Sequence, residues 1–152
     1  SSFMNNSCYE KLKMFKEKFP NCVTWFRLKK HCEVVEKHLN PGESVDFILA
    51  GQLDEKPLSL FNTGVIVITN ERIIVAQNRL LIGYKFSSIT PDLYNDMQVD
   101  CGLIWGKLCI DTVKEKIYVS NLDKDSLPEI ETSITMFMSD AKKKYNNSLD
   151  ES

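Results

Sequence analysis

Between residues 64 and 76 the chain reads Gly-Val-Ile-Val-Ile-Thr-Asn-Glu-Arg-Ile-Ile-Val-Ala, and this stretch narrows the choice of fold more than any other. Two β-branched runs, 65–69 and 72–76, flank a polar Asn70-Glu71 step, the pattern of a tight β-hairpin. Asn70 suits the positive φ that such a turn demands, so that conformation is expected there. Side chains alternate faces along a strand, yet both runs are apolar at odd and even positions alike. One face lines a core. The other has to be covered by a helix or by a partner.

The chain has 152 residues, enough for one domain with a real core. A formal net charge of −2 lacks the basic excess of a nucleic-acid binder, so no nucleic-acid partner is expected. No apolar run approaches the ~20 residues that cross a bilayer. The N-terminus has no apolar core of a secretory signal, and Met4, behind Ser1-Ser2-Phe3, is expected to be the natural start. Five cysteines, Cys8, Cys22, Cys32, Cys101 and Cys109, give an odd count with no C-x-x-C pair. That argues against a disulfide framework or zinc knuckle and for a reducing, cytoplasmic setting. His31 and Cys32 are adjacent, with His38 one heptad on. Adjacent helical residues point about 100° apart, and nothing completes a ligand set, so neither a metal nor a cofactor is expected.

The first 44 residues read as a helical hairpin. Asn6 or Ser7 caps a helix in which Cys8, Leu12, Phe15 and Phe19 fall on one side, and Pro20 ends it. Thr24 caps a second, with Trp25, Leu28, Cys32, Val35 and Leu39 at 3-4 spacing, stopped by Asn40-Pro41-Gly42. The segment carries eight Lys/Arg against five acids, +3 where the remainder is −5. Such a basic amphipathic unit is either a solvated face, the favoured reading, or a contact for anionic surfaces.

From Val45 the period shifts from 3.6 toward 2. Strands are expected over 45–53, through the hairpin, over 81–86 after an Asn78-Arg79 turn, and over 95–101, 107–113 and 117–122, with 87–93 an irregular connection. Met97, Val99 and Cys101 share one strand face, and Cys101 and Cys109 are expected to be buried structural thiols. Ser126-Leu-Pro-Glu129 has capping-box spacing and opens a helix with Ile130, Ile134, Phe137, Met138, Ala141 and Tyr145 as its stripe. The tail from Asn146 is polar and expected to fray. The reading is an α+β fold: a small, strongly bent antiparallel β-barrel of about seven strands, closed by the C-terminal helix and preceded by the helical hairpin. Its divisions are 1–44, 45–146 and a polar tail, 147–152.

Three stretches carry a family resemblance: the Gly-Val-Ile-Val-Ile-Thr-Asn-Glu-Arg hairpin, the irregular Ile89-Thr-Pro-Asp, and Gly102-Leu-Ile-Trp-Gly106-Lys-Leu. Together they resemble the bacterial pleckstrin-homology (PH)-like domains of the YokE type over roughly 45–145, and the T-N-x-R hairpin also resembles GRAM-like domains. The resemblance implies a binding scaffold rather than a reaction. It also implies an open barrel end gathering Lys56, Arg79, Lys114 and Lys116 as candidate anionic-ligand residues, together with Asp54, Glu55 and Glu115. A phosphorylated headgroup demands several charge-assisted bonds, and Lys56 stands alone among acids and a proline in the first loop.

No catalytic residues are expected: the chain has no G-x-S-x-G elbow, glycine-rich phosphate loop or H-E-x-x-H, and no histidine in the strand region. The surplus of apolar surface, in the two-sided strands, the helical stripe and the Leu103-Ile104-Trp105 triplet, points to a non-enzymatic module that binds another protein or its own copies. Leu103, Ile104 and Trp105 are the candidate partner-binding residues. Peripheral binding of anionic lipid or a phosphorylated ligand is the weaker alternative.

Overall fold

The computed structural model describes residues 7–22, 27–54, 62–79 and 83–151. Two helices open it, α1 (Ser7–Lys18) and α2 (Leu28–His38). Thr24, the expected cap of α2, and Trp25 lie outside the described residues. α2 starts behind Arg27, whose φ of 57° is left-handed. Seven strands follow: β1 (Val45–Gln52), β2 (Thr63–Thr69), β3 (Ile73–Asn78), β4 (Tyr84–Ile89), β5 (Tyr94–Cys101), β6 (Trp105–Thr112) and β7 (Lys116–Asp123). α3 (Leu127–Glu151) ends the chain's described part. The sheet order is β4-β3-β2-β1-β7-β6-β5, antiparallel throughout, a curled half-barrel with α3 at its end.

Both faces of β2 and β3 are buried, as their two-sided composition requires. Directly paired residues share a face, and Val65 pairs with Ala76 and Val67 with Ile74. The face they form, extended to Phe86 and Ser88 of β4, lies under α2: His31 bonds Thr63 at 3.0 Å and the His38 ring stacks on Phe86 at 4.2 Å. The opposite face, Ile66, Ile68, Ile73 and Val75, turns to the barrel interior and shares one core with Ile130, Ile134 and Phe137 of α3. Burying a Val or Ile is worth about 1.5–3 kcal/mol, against a total domain stability of about 5–15 kcal/mol. The chain's own helices therefore supply the cover that the sequence left open between helix and partner.

The two halves of the sheet meet where β1 and β7 pair, through Gln52 and Ser120. A Cβ on Gly51 would lie 2.6 Å from Val119 Cγ1 and 3.0 Å from the Ser120 carbonyl, so the close approach requires glycine. Asn121, at φ 60°, is buried beside it and donates through Nδ2 to Gln52 Oε1, where β7 slips register against β6.

Four expectations change. Asn70 does not take positive φ: among described residues other than glycine only Arg27 and Asn121 do. The Thr69 hydroxyl instead accepts from the Glu71 and Arg72 N–H groups, at 3.1 and 3.0 Å, and closes the turn with its side chain. The fourth strand runs through Ser87-Ser88 to Ile89 rather than stopping at Phe86, because an outer strand of the sheet tolerates polar residues. Ser126 does not act as the capping-box residue; its hydroxyl donates to the Asp123 carbonyl at 2.6 Å, and the Asp123 carboxylate takes the Asp125 N–H in a 3-10 turn before α3. Finally, α3 continues through the expected frayed tail to Glu151, 25 residues or about 37 Å, and leaves Tyr145 exposed rather than in its buried stripe.

Candidate functional site

Among the described residues, the tip between β5 and β6 holds the strongest concentration of exposed apolar side chains. Gly102 makes the bend: its N–H donates to the Trp105 carbonyl at 3.0 Å, and a Cβ there would stand 2.9 Å from that oxygen. Leu103 and Ile104 project from the bend at 96% and 63% exposure. Trp105 is neither core nor a free knob. It begins β6, is 37% exposed, and donates its indole N–H to the Asn21 carbonyl at 3.1 Å. Asn21 N–H in turn donates to Asp123 Oδ2 at 3.1 Å, and Asp123 N–H to Cys22 Sγ. The tip is thus fixed to the segment that follows α1. Gly106 lets it lie close, since a Cβ there would meet Leu127 Cδ1 at 2.7 Å. Cys101 is exposed beside Gly102, which overturns its reading as a buried thiol; Cys109 is half-buried. The strand ends at Cys101, so the alternation that placed Met97 and Val99 against the core no longer binds it.

Of the candidate cations, Arg79, Lys114 and Lys116 fall within the described residues, and the groove that Lys116 lines does not include the other two. Lys56 lies outside the described residues. Lys116 lines a groove of about 320 Å³ on the outer face of β5–β7 with Lys107, Asp54, Asp100 and Tyr118. Register pairs Asp100 with Lys107 and Asp111 with Lys116, so acids balance the bases along that face. Lys114 sits in the β6–β7 turn, which Thr112 closes by accepting the Glu115 N–H at 3.0 Å. Arg79 follows β3, with its N–H on the Gly83 carbonyl. Neither Arg79 nor Lys114 lines the groove of Lys116. A phosphate binder needs several cations aimed at one point.

Two larger concavities were not foreseen. One, about 790 Å³, lies between α3 and the β2–β3 turn, floored by Phe47, Ile68, Met136 and Phe137 and rimmed by Glu71, Asp140, Lys143 and Lys144. The other, about 690 Å³, runs along α1 to the start of α2 and is lined by Lys13, Lys16, Arg27 and Lys29. The excess of lysine in the first 44 residues was its only signal in the sequence.

Beside the first concavity is a polar node the sequence reading did not single out. Arg72 donates through Nε and Nη2 to Glu43 at 2.9 and 3.0 Å, through Nη1 to Ser88 at 3.1 Å and through Nη2 to the His38 carbonyl at 2.7 Å. Glu43 has no exposed side-chain surface and also accepts from the Thr69 hydroxyl and the Asn40 N–H. Burial pushes its pKa up, but the bonds from Arg72, Asn40 and Thr69 outweigh that, and the carboxyl titrates below its ordinary range. Among the buried thiols, a bond with Cys32 and burial hold Cys8 far up, and burial pushes Cys22 to about 11, so both stay protonated at neutral pH.

A family model described as "Bacterial PH domain" matches residues 39–135. A solved DUF1696 family protein with a pleckstrin-homology domain from Shewanella loihica PV-4 is similar at 13% identity and a TM-score of 0.48, covering 74% of this chain and 93% of that one. A pleckstrin homology domain from Shewanella amazonensis SB2B is similar at 14% identity and 0.47, covering 82% and 98%. No curated protein matches the chain.

Proposed function

Because the chain belongs to the bacterial PH domain family, whose fold serves as a binding module, we propose that it is a non-enzymatic module that binds another protein or a second copy of itself through Leu103, Ile104 and Trp105. The carrying observation is the exposure of Leu103 and Ile104 on a hairpin whose base is tethered through Trp105 to Asn21. A pre-ordered tip loses little entropy on docking, and each aliphatic side chain it buries is worth about 1.5–3 kcal/mol. The odd cysteine count supports a cytoplasmic setting. No helix among the described residues is long and apolar enough to cross a membrane.

The test is solution mass by light scattering over a range of concentration and salt, for the parent and for Leu103→Ser/Ile104→Ser. These two positions are chosen over Trp105 because they make no bond that holds the fold. A salt-insensitive oligomer that the double variant reduces to monomer supports self-association through the tip; a monomer directs the search to another protein. An assembly that dissolves in salt and ignores the double variant would instead favour an anionic ligand at Arg79, Lys114 or Lys116.

A further inference from the structure

The groove along α1 differs from the other concavities in charge. Lys13, Lys16, Arg27 and Lys29 line it with one acid, Glu17, over a floor of Tyr9, Pro20 and Leu28, and Lys13 is paired at 3.0 Å with Glu10 on the exposed side of α1. It belongs to a segment of +3 in a chain whose remainder is −5. The start of α2, where Leu28 and Lys29 reach the groove, has no acidic residue in its first turn and no side-chain cap, so its N-terminal N–H groups add to the positive field. Arg27 has a left-handed backbone, donates from Nη2 to Asn78 Oδ1, and keeps its Nε buried and unpartnered.

We propose that this groove docks an acidic segment of a partner protein, an inference that rests on reading the chain as a protein-binding module and names the chemistry of its partner. The cations are spaced along the groove rather than aimed at one point, which suits successive carboxylates better than one phosphate. Tyr9 to Glu17 spans about 12 Å of helix, the reach of about four extended residues. The floor offers Leu28 and the Tyr9 ring to an apolar side chain, which a membrane surface does not supply in so concave a site. Pro20, which lines the groove, precedes Asn21, whose carbonyl accepts the Trp105 indole N–H.

The test is fluorescence anisotropy of the whole chain with a labelled peptide of about ten residues, glutamates around a central leucine, against the same peptide with glutamines. The glutamate peptide is expected to bind saturably and to weaken steeply between about 0.05 and about 0.5 M salt. Lys29→Glu, at an exposed helix position, is expected to weaken binding about fivefold or more with its thermal midpoint unchanged. Equal binding of the glutamine peptide, no binding of either, or unchanged binding by the lysine variant overturns the proposal. Phosphatidylserine vesicles binding where the peptide does not would assign the cations to a membrane and overturn it too. The Leu103→Ser/Ile104→Ser variant, measured by solution mass, reports separately on the tip, so failure of one reading leaves the other readable.

Discussion

Arg72 meets a carboxylate, a hydroxyl, a helix-end carbonyl and, at 5.4 Å, the ring of Phe86. Its side chain is 12% exposed and that of Glu43 not at all. Removing one partner leaves the other charge buried without compensation. Arg72→Ala is therefore expected to cost about 3–5 kcal/mol in urea unfolding at neutral pH, and Arg72→Lys much of that, because one ammonium cannot reproduce the planar fork. Glu43 sets an acid dependence. Its folded-state pKa lies below the ordinary 4.5, so folding favours the ionised carboxylate. That stabilisation is complete above the ordinary value and is lost as pH falls through the folded one. The parent should lose stability on acidification faster than Glu43→Gln, the two urea midpoints drawing together in acid; parallel curves would deny Glu43 this role.

At the scale of elements, the junction of β1 with β7 is the narrowest part of the sheet. Gly51→Ala would press a methyl group onto Val119 and the backbone of Ser120; it is expected to cost about 1–3 kcal/mol in thermal unfolding, whereas Gly42→Ala has open space and only its positive φ against it. Elements were legible wherever burial wrote a period into the chain. The β-branched runs of β2 and β3 and the alternation of β6 were such cases, and so was the 3-4 spacing of α1 and α2. Legibility failed where side chains replaced backbone chemistry, as at Thr69, whose hydroxyl frees Asn70 from positive φ. It failed again at Ser87-Ser88, where an outer strand needs no apolar alternation. The Leu103-Ile104-Trp105 triplet was visible as a candidate because three large apolar residues crowd one turn. Its split into two projecting residues and one tether was not visible, since the partner of Trp105 is a backbone carbonyl 84 positions away. The groove of α1 and α2 was hidden for the same reason: it joins residues that no local pattern connects.

For the whole molecule, the N-terminal helices act as a built-in cover for one face of the sheet. A chain shortened to begin at Ser44 would expose Val65, Val67, Ile74 and Ala76 together and lose Glu43 as well. It is expected to form larger assemblies and to bind more of a hydrophobic dye than the 152-residue chain under the same conditions, measured by light scattering and dye fluorescence. The same dependence bears on how other sequences with a Thr-Asn-x-Arg turn are to be read. Here that signature is a docking point for an upstream helix: its arginine takes the carbonyl that ends α2 and the carboxylate five residues on. A relative that keeps the arginine but begins after such a helix has to furnish an acid and a carbonyl from somewhere else. Searching its sequence for that substitute would show which segment has taken over as the sheet's cover.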